Sequence, residues 1–134
     1  MYMKVYINNG GIKVREIKEL DITIPKCDYL AIPFSYKRNG ENVQLGENDL
    51  IFFSVKKYKN DKNYIFQKTL ENGITFDSVN TKYLIEINYE DTKDVEIGDK
   101  LLYDIVIYYD GKKPVQKVVG TLEIGLKLTM NEVV

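Results

Sequence analysis

The sequence predicts an all-β fold: a single antiparallel β-sandwich of about eight to ten short strands, with one short helical turn near residues 90–95. Three observations predict it. Apolar and polar residues alternate in runs of strand length, as in residues 82–88. Turn-forming pairs such as Asn39-Gly40 and Asp110-Gly111 separate these runs. Finally, we find no run of 10–15 residues with a clear helical period, which argues against alternating strands and helices.

The first part of the chain carries the weaker strand signals. Brief alternation predicts strands at residues 3–7, 12–17 and 20–24. Pro25 ends the last of these runs, because proline cannot donate to a β-ladder. Residues 29–36 are apolar and strand-like, but Pro33 predicts an edge strand or a bulge. We expect residues 1–24 to form either an edge strand or an extended arm.

Strand signals are stronger from Leu50 onwards. Predicted strands lie at residues 50–57, 64–70, 74–76, 82–88, 101–109 and 115–124. The run that starts at Leu50 is continuously apolar, which predicts a strand covered on both faces near its start. Asp91 or Thr92 is expected to cap the helical turn, and Gly98 to end that segment. The predicted core comprises Ile51, Phe53, Val55, Phe66, Tyr83, Ile85, Ile87, Ile105, Ile107, Val118, Leu122 and Ile124.

Length and composition predict one domain over residues 1–134 and weaken several function classes. The chain has no histidine, so the commonest general base and metal ligand is missing. It has no tryptophan, which weakens a carbohydrate-binding function. Cys27 is the sole cysteine, which indicates a reducing compartment or a virion made in one. We expect no cofactor, no metal and no membrane partner, and the first residues lack the pattern of a signal peptide.

Two charged segments are candidate sites. The acidic residues 90–99 do not follow the spacing of a calcium loop, so a structural corner with solvated acids is the favoured interpretation over a metal site. Residues 56–64 interleave lysine with tyrosine, a mixture found in proteins that bind single-stranded nucleic acid. A hairpin loop whose lysines protect strand edges explains that segment equally well and is favoured. The sequence offers no histidine to act as a base beside Asp104 or Cys27, so we expect no catalysis from them.

Tyrosines are the contact residues that we expect of a β-domain that works by presenting a surface. From their terminal or loop-adjacent positions, we predict interface contacts by Tyr2, Tyr6, Tyr58 and Tyr109. A further segment with Leu126, Leu128 and Met130 is either a docking arm or the last core strand.

Four segments in order carry a family resemblance: residues 48–57 (NDLIFFSVKK), 66–74 (FQKTLENGI), 83–92 (YLIEINYEDT) and 98–105 (GDKLLYDI). Together they resemble small structural proteins of tailed phages and prophages of low-GC Gram-positive bacteria. They are similar to the immunoglobulin-like N-terminal domain of baseplate upper proteins. The resemblance covers about residues 48–124. Two positions depart from the pattern, since Tyr89 replaces the usual proline and Leu101 stands where tyrosine is common.

The resemblance implies an immunoglobulin-like sandwich that acts as a non-enzymatic virion component, assembled in the host bacterial cytoplasm. Its partners would be other virion structural proteins, in a homo-oligomer or multicopy assembly, with no nucleic acid. A tail or baseplate position is expected first and capsid decoration second. The alternative class is a β-module that binds carbohydrate or nucleic acid, which an exposed aromatic platform would favour.

Overall fold

The fold is all-β, as the sequence predicts. The computed structural model describes residues 3–7, 15–17, 21–38, 40–110 and 113–125. The strands are β1 Met3–Ile7, β2 Arg15–Ile17, β3 Ile22–Pro25, β4 Leu30–Arg38, β5 Glu41–Asn42, β6 Leu50–Lys56, β7 Phe66–Leu70, β8 Gly73–Asp77, β9 Lys82–Ile87, β10 Lys100–Tyr109 and β11 Lys113–Gly125. A single helical turn, α1 Tyr89–Thr92, matches the turn predicted near residues 90–95. The segment with Leu126, Leu128 and Met130 lies outside the described residues.

The strands form one curled sheet with the order β1-β4-β9-β8-β7-β6-β10-β11-β2, while β3 pairs with β11 and β5 with β4. The sheet divides into two wings at β7 and β8, which are joined through the pairs Thr69–Gly73 and Leu70–Ile74. One wing contains β1, β4, β9 and β8, and the other contains β7, β6, β10 and β11. Buried side chains from both wings form one hydrophobic cluster, which gives the molecule its sandwich character.

Pairing within the wings is antiparallel at the centre and parallel towards the margins. In one wing, the pairs β7–β6, β6–β10 and β10–β11 are antiparallel. In the other wing, the pairs β4–β9 and β9–β8 are antiparallel. Parallel pairs join β1 to β4, β7 to β8, and both β2 and β3 to β11. The sheet is therefore mixed, whereas the sequence predicts antiparallel pairing throughout.

Pro33 does not place β4 at the margin of the sheet, so that interpretation was wrong for the strand as a whole. β4 lies between β1 and β9. Its pairing with β9 covers Leu30 to Phe34, and its pairing with β1 begins only at Phe34. Pro33 therefore lies just before the part of β4 that pairs with β1. Its missing N–H costs no hydrogen bond in the ladder between β4 and β1.

The core contains almost all the residues predicted for it. Eleven of the twelve are buried, and Phe66 is half-buried and packs against the cluster. Tyr83 is the aromatic centre of one wing, with ring centroids 5.2 Å from Phe34 and 4.9 Å from Phe76. Phe53 has the same role in the other wing and lies 5.7 Å from Tyr103. These aromatic contacts join neighbouring strands across the interior.

The expectation that β6 is covered on both faces near its start was wrong. Ile51, Phe53 and Val55 are buried in the core, but Leu50 is 43% exposed. On the same outer face Phe52 is half-buried and contacts the edge of the Tyr108 ring at 5.6 Å. The apolar residues on the outer face of this wing therefore pack against neighbours on the same face and remain partly exposed to water.

Candidate interaction surface at one end of the sandwich

Three connections meet at the end of the sandwich where β6 ends and β10 begins. They are residues 26–29 before β4, 57–65 between β6 and β7, and 88–99 between β9 and β10. Backbone hydrogen bonds from Lys26 to Gly125 and from Gly98 to Ile124 fix two of them to the end of β11. We call these three connections the loop end.

The resemblance motifs meet in a corner that holds the loop end together. The Lys68 ammonium lies 2.7 Å from the Asp91 carboxylate, and both side chains are only 12% exposed. The same Asp91 oxygen accepts a hydrogen bond from the Asn88 N–H at 2.9 Å. Thr92 is fully buried, and its hydroxyl oxygen accepts the Cys27 N–H at 2.8 Å. This corner therefore ties β7, α1 and the connection before β4 to one another.

The geometry of this corner corrects the predicted helix cap. Asn88 occupies the N-cap position, in extended conformation, and Asp91 lies at the third helical position. Asp91 closes the turn by accepting from the Asn88 backbone, which is one half of a capping box. Thr92 is turned inwards and bonds Cys27, so it caps a neighbouring loop rather than its own helix.

Asp99, at the end of the acidic segment, also has structural contacts. The Asp99 carboxylate accepts the Glu96 N–H at 3.0 Å, and the Asp99 carbonyl accepts the Ile124 N–H at 2.9 Å. Among the described residues there is no group of three or more side chains placed to hold a metal ion. Glu90, Asp94 and Glu96 point into solvent and form an exposed acidic side of the loop end.

The lysine- and tyrosine-rich segment forms the basic side of the loop end. The Lys56 ammonium lies 5.1 Å from the centre of the Tyr64 ring, and the Lys57 ammonium lies 5.8 Å from that of Tyr58. Asp61 closes the loop, because its carboxylate accepts the Tyr58 N–H at 2.9 Å and its own N–H donates to the Tyr58 carbonyl. Cation–π contacts at such exposed sites contribute about 0.5–1 kcal/mol each.

Exposed apolar side chains concentrate at this end. Eight large apolar residues of the described part of the chain are exposed, and five of them lie on the loop end. These five are between 47% and 63% exposed: Tyr29, Tyr58, Tyr64, Tyr89 and Ile97. Tyrosine is the residue type that protein interfaces favour, since it offers a large apolar ring with a polar tip. The loop end therefore has the composition of a contact surface.

Tyr29 is held in place by a polar partner. Its hydroxyl donates to the Glu86 carboxylate at 3.0 Å. This hydrogen bond to a carboxylate raises the pKa of Tyr29 above the ordinary value of a phenol. The hydrogen bond to Glu86 holds the ring of Tyr29 at the rim of the loop end.

Of the four predicted contact residues, the structure describes the side chain of one. Tyr58 is exposed on the loop end. The backbones of Tyr6 and Tyr109 lie in β1 and β10, their side chains are outside the described part, and Tyr2 lies outside the described residues. Sequence reasoning missed Tyr29, Tyr64, Tyr89 and Ile97. A usable signal was present, since each of them lies in or beside a polar connection, where an aromatic or branched apolar side chain has no core to enter.

A cleft of about 410 Å³ lies at the opposite end, lined in part by Tyr36, Glu47 and Asp110. Its buried carboxylate, Asp49, accepts the Gly46 N–H and the Asp110 N–H, both at 2.7 Å. Asp49 thus ties the start of β6 to the turn after β10. This carboxylate is occupied by the backbone and is a structural clamp.

No protein-family model and no curated protein sequence matches the chain. One similar solved structure is the N-terminal domain of phage TP901-1 ORF48, with 12% sequence identity and a TM-score of 0.45. The alignment covers 92% of this chain and 99% of that one. We draw no functional conclusion from a likeness at this level. In the described part of the chain, no helix has the length and apolar character needed to cross a membrane.

Proposed function

We propose that this protein is a non-enzymatic structural component of a phage or prophage virion, positioned in the tail or baseplate, and that it docks onto other virion proteins through the loop end. The observation that carries the proposal is the concentration of Tyr29, Tyr58, Tyr64, Tyr89 and Ile97 on the three connections at one end of a rigid β-sandwich. Loops held by a sandwich are where such folds commonly place their contact residues.

The virion assignment is supported by the ordered set of segments that resembles small phage structural proteins. Several of these residues make structural contacts, because Lys68 pairs with Asp91 and the Thr92 hydroxyl accepts the Cys27 N–H. The resembling residues therefore stabilise the fold, and the resemblance is one of scaffold. The surface that differs between virion components is then carried by the loops on this scaffold.

The non-enzymatic part of the proposal is supported by the contacts of three acids that are buried or half-buried. Asp49 accepts two backbone N–H groups, Asp91 pairs with Lys68, and Asp99 accepts the Glu96 N–H. A general acid or base needs a lone pair or proton free to reach a substrate. These carboxylates use their oxygens to hold loops together, and the sequence contains no histidine to take their place.

Gold-labelled antibody against the chain, applied to purified virions from an induced host, tests the proposal by electron microscopy. We expect label at the distal end of the tail. Label over the head would replace the tail position by capsid decoration, and virions without label would overturn the virion assignment. Virions from a host in which the gene is deleted are the matched control for non-specific label.

A second candidate function is a module that binds single-stranded nucleic acid, and the Lys–Tyr contacts favour it. Tyr58 and Tyr64 offer ring surface beside Lys57 and Lys56, the combination on which bases stack and phosphates bind. Fluorescence anisotropy with labelled oligothymidine at low salt tests this function. Binding that weakens with salt and is lost in Tyr58→Ala would support it, and no change in anisotropy would reject it.

A further inference from the structure

We propose that the loop end pairs with the loop end of a second copy of this chain across a twofold axis. The inference deepens the proposed function by naming the virion protein that meets the loop end as a second copy of this chain, and it rests on that function in taking the loop end as the docking surface. In a twofold interface the same surface of both copies is buried, so it must be complementary to itself. A residue on one side of that surface then contacts the other side of the second copy, and the reverse contact forms as well. The loop end satisfies that requirement in its charge.

The loop end carries opposite charges on two adjoining sides. The basic side contains the exposed Lys57, Lys59 and Lys62, with Asp61 held within its own turn. The acidic side contains the exposed Glu90, Asp94 and Glu96, with Lys93 bound to Glu90 at 2.9 Å. A partner with a surface of one sign would meet repulsion on one of these sides. A second copy turned by 180° presents an acidic side to each basic side.

The two sides are held next to each other by the fold. Residues 57–65 lead directly into β7, whose Lys68 reaches the Asp91 carboxylate of the acidic segment at 2.7 Å. Because this ion pair is mostly shielded from water, the relative position of the two sides is set before any partner arrives. Pre-set surfaces lose less conformational entropy on association.

Each side also brings exposed apolar area to the contact. Tyr58 and Tyr64 lie on the basic side, while Tyr89 and Ile97 lie on the acidic side. In the twofold arrangement these residues face one another and leave water together. Burial of aromatic residues supplies most of the affinity in such contacts, and the charges set orientation and exclude wrong partners.

Two charge-reversed variants test the pairing. The acidic variant carries Lys57→Glu, Lys59→Glu and Lys62→Glu, and the basic variant carries Glu90→Lys, Asp94→Lys and Glu96→Lys. We expect the unaltered chain to sediment as a dimer at low ionic strength and to dissociate as salt is raised. Each variant alone has a loop end of a single sign and should be a monomer. Mixed in equal amounts, the two variants should form a one-to-one heterodimer.

The matched control carries Glu41→Lys, Glu47→Lys and Glu71→Lys, three exposed acids towards the opposite end, and should dimerise as the unaltered chain does. Circular dichroism and denaturant midpoints verify that every variant is folded. The pairing is overturned if the unaltered chain is a monomer at all concentrations and salts, if either loop-end variant still dimerises alone, or if the mixture stays monomeric. A monomer that gold labelling still finds in virions would overturn the pairing and leave the virion function standing.

Discussion

At the scale of single residues, Lys68 and Asp91 form an ion pair that lies mostly out of water. Replacing Lys68 with methionine keeps the length of the apolar stem and removes the ammonium. Asp91 would then remain a nearly buried carboxylate that accepts the Asn88 N–H. We expect Lys68→Met to lower the free energy of unfolding by about 2–3 kcal/mol, measured by urea titration.

The exposed pair in the same helical turn is the control for this change. Lys93 lies 2.9 Å from Glu90, close to the distance in the Lys68 pair, but the side chains are 42% and 70% exposed. Water solvates both charges when such a pair is broken, so Lys93→Met should leave the urea midpoint almost unchanged. Equal losses in the two variants would show that burial does not decide the strength of the Lys68–Asp91 pair.

Tyr83 makes the stability of the fold sensitive to alkaline pH. Its ring is buried, the Leu45 N–H donates to its oxygen at 2.6 Å, and burial raises its pKa above the ordinary value. Below about pH 10 the phenol is neutral in both folded and unfolded chains. Above that pH the unfolded chain releases the proton first, so stability should fall as pH rises through the folded pKa.

Urea titrations of the unaltered chain and Tyr83→Phe between about pH 8 and pH 11.5 measure this effect. The variant leaves the Leu45 N–H without its acceptor and should lose about 1 kcal/mol at the lower pH. Its further decline in alkali should be shallower than that of the unaltered chain, because the other tyrosines remain. Parallel curves for the two proteins would show that Tyr83 does not cause the decline.

At the scale of elements, the turn between β7 and β8 depends on Gly73. Its φ is +101°, and a Cβ there would overlap Cδ of Lys68. Gly73→Ala must therefore strain the backbone and also displace the Lys68 side chain from Asp91. We expect a loss of about 2–3 kcal/mol in the free energy of unfolding.

Substitution of Gly40 is the control that separates backbone strain from displacement of the Lys68 side chain. The φ of Gly40 is +80°, but a Cβ there meets no heavy atom of the described residues within 4 Å. Gly40→Ala should therefore lose only the backbone term, about 1 kcal/mol. If both alanine variants lose the same amount in thermal and urea unfolding, the contact between Gly73 and Lys68 has no energetic weight.

The register of β9 allows a sharper test of an element. Ile85 is fully buried and lies opposite Ile32 of β4 and Ile74 of β8. Its neighbour Leu84 lies on the other face and is half-buried. Ile85→Asp should lose more than about 4 kcal/mol or fail to fold, whereas Leu84→Asp should remain folded with a smaller loss. A soluble Ile85→Asp with an unchanged denaturant midpoint would mean that the register is wrong.

The strands whose position follows from local sequence are those that could be predicted. β9 alternates with period two, and β10 and β11 are joined through Asp110, so the burial of Ile85, Ile105 and Leu122 followed from pattern alone. Apart from β7 and β8, the parallel pairs were missed because they join segments far apart in sequence, as β3 joins β11, and no turn residue marks them. The effect of Pro33 was misjudged because it depends on where β1 begins to pair.

At the scale of the whole molecule, the candidate surface was harder to predict than the core. Burial follows from alternation within one strand, but the loop end joins residues 29, 58, 64, 89 and 97, which become neighbours only after both wings have folded. Tyr36, Tyr83 and Tyr103 are buried, while Tyr29, Tyr58, Tyr64 and Tyr89 are exposed. The number of tyrosines in the sequence does not distinguish buried from exposed tyrosines. The buried ones lie within strands, whereas the exposed ones lie in the connections beyond the strand ends.

Loss of exposed rings from the loop end should weaken assembly into virions without weakening the fold. Tyr58→Ala and Tyr89→Ala each remove an exposed ring from the loop end, so the denaturant midpoint should change little. Truncating an interface anchor of this kind costs about 2 kcal/mol of binding, which is about thirtyfold in affinity. In a host that lacks the gene and is supplied with the variant chain, we expect the double variant to be depleted from purified virions, as measured by quantitative immunoblotting.

Val79→Ala supplies the comparison for that experiment. Val79 is 88% exposed on the turn between β8 and β9, away from the loop end, and should enter virions as the unaltered chain does. Depletion of the double variant alone would mean that exposed apolar area matters for assembly only where it is gathered at the loop end. Equal incorporation of all three chains would show that the loop end is not the docking surface. Depletion of Val79→Ala alone would move the docking surface to the opposite end, next to the cleft that Asp49 closes.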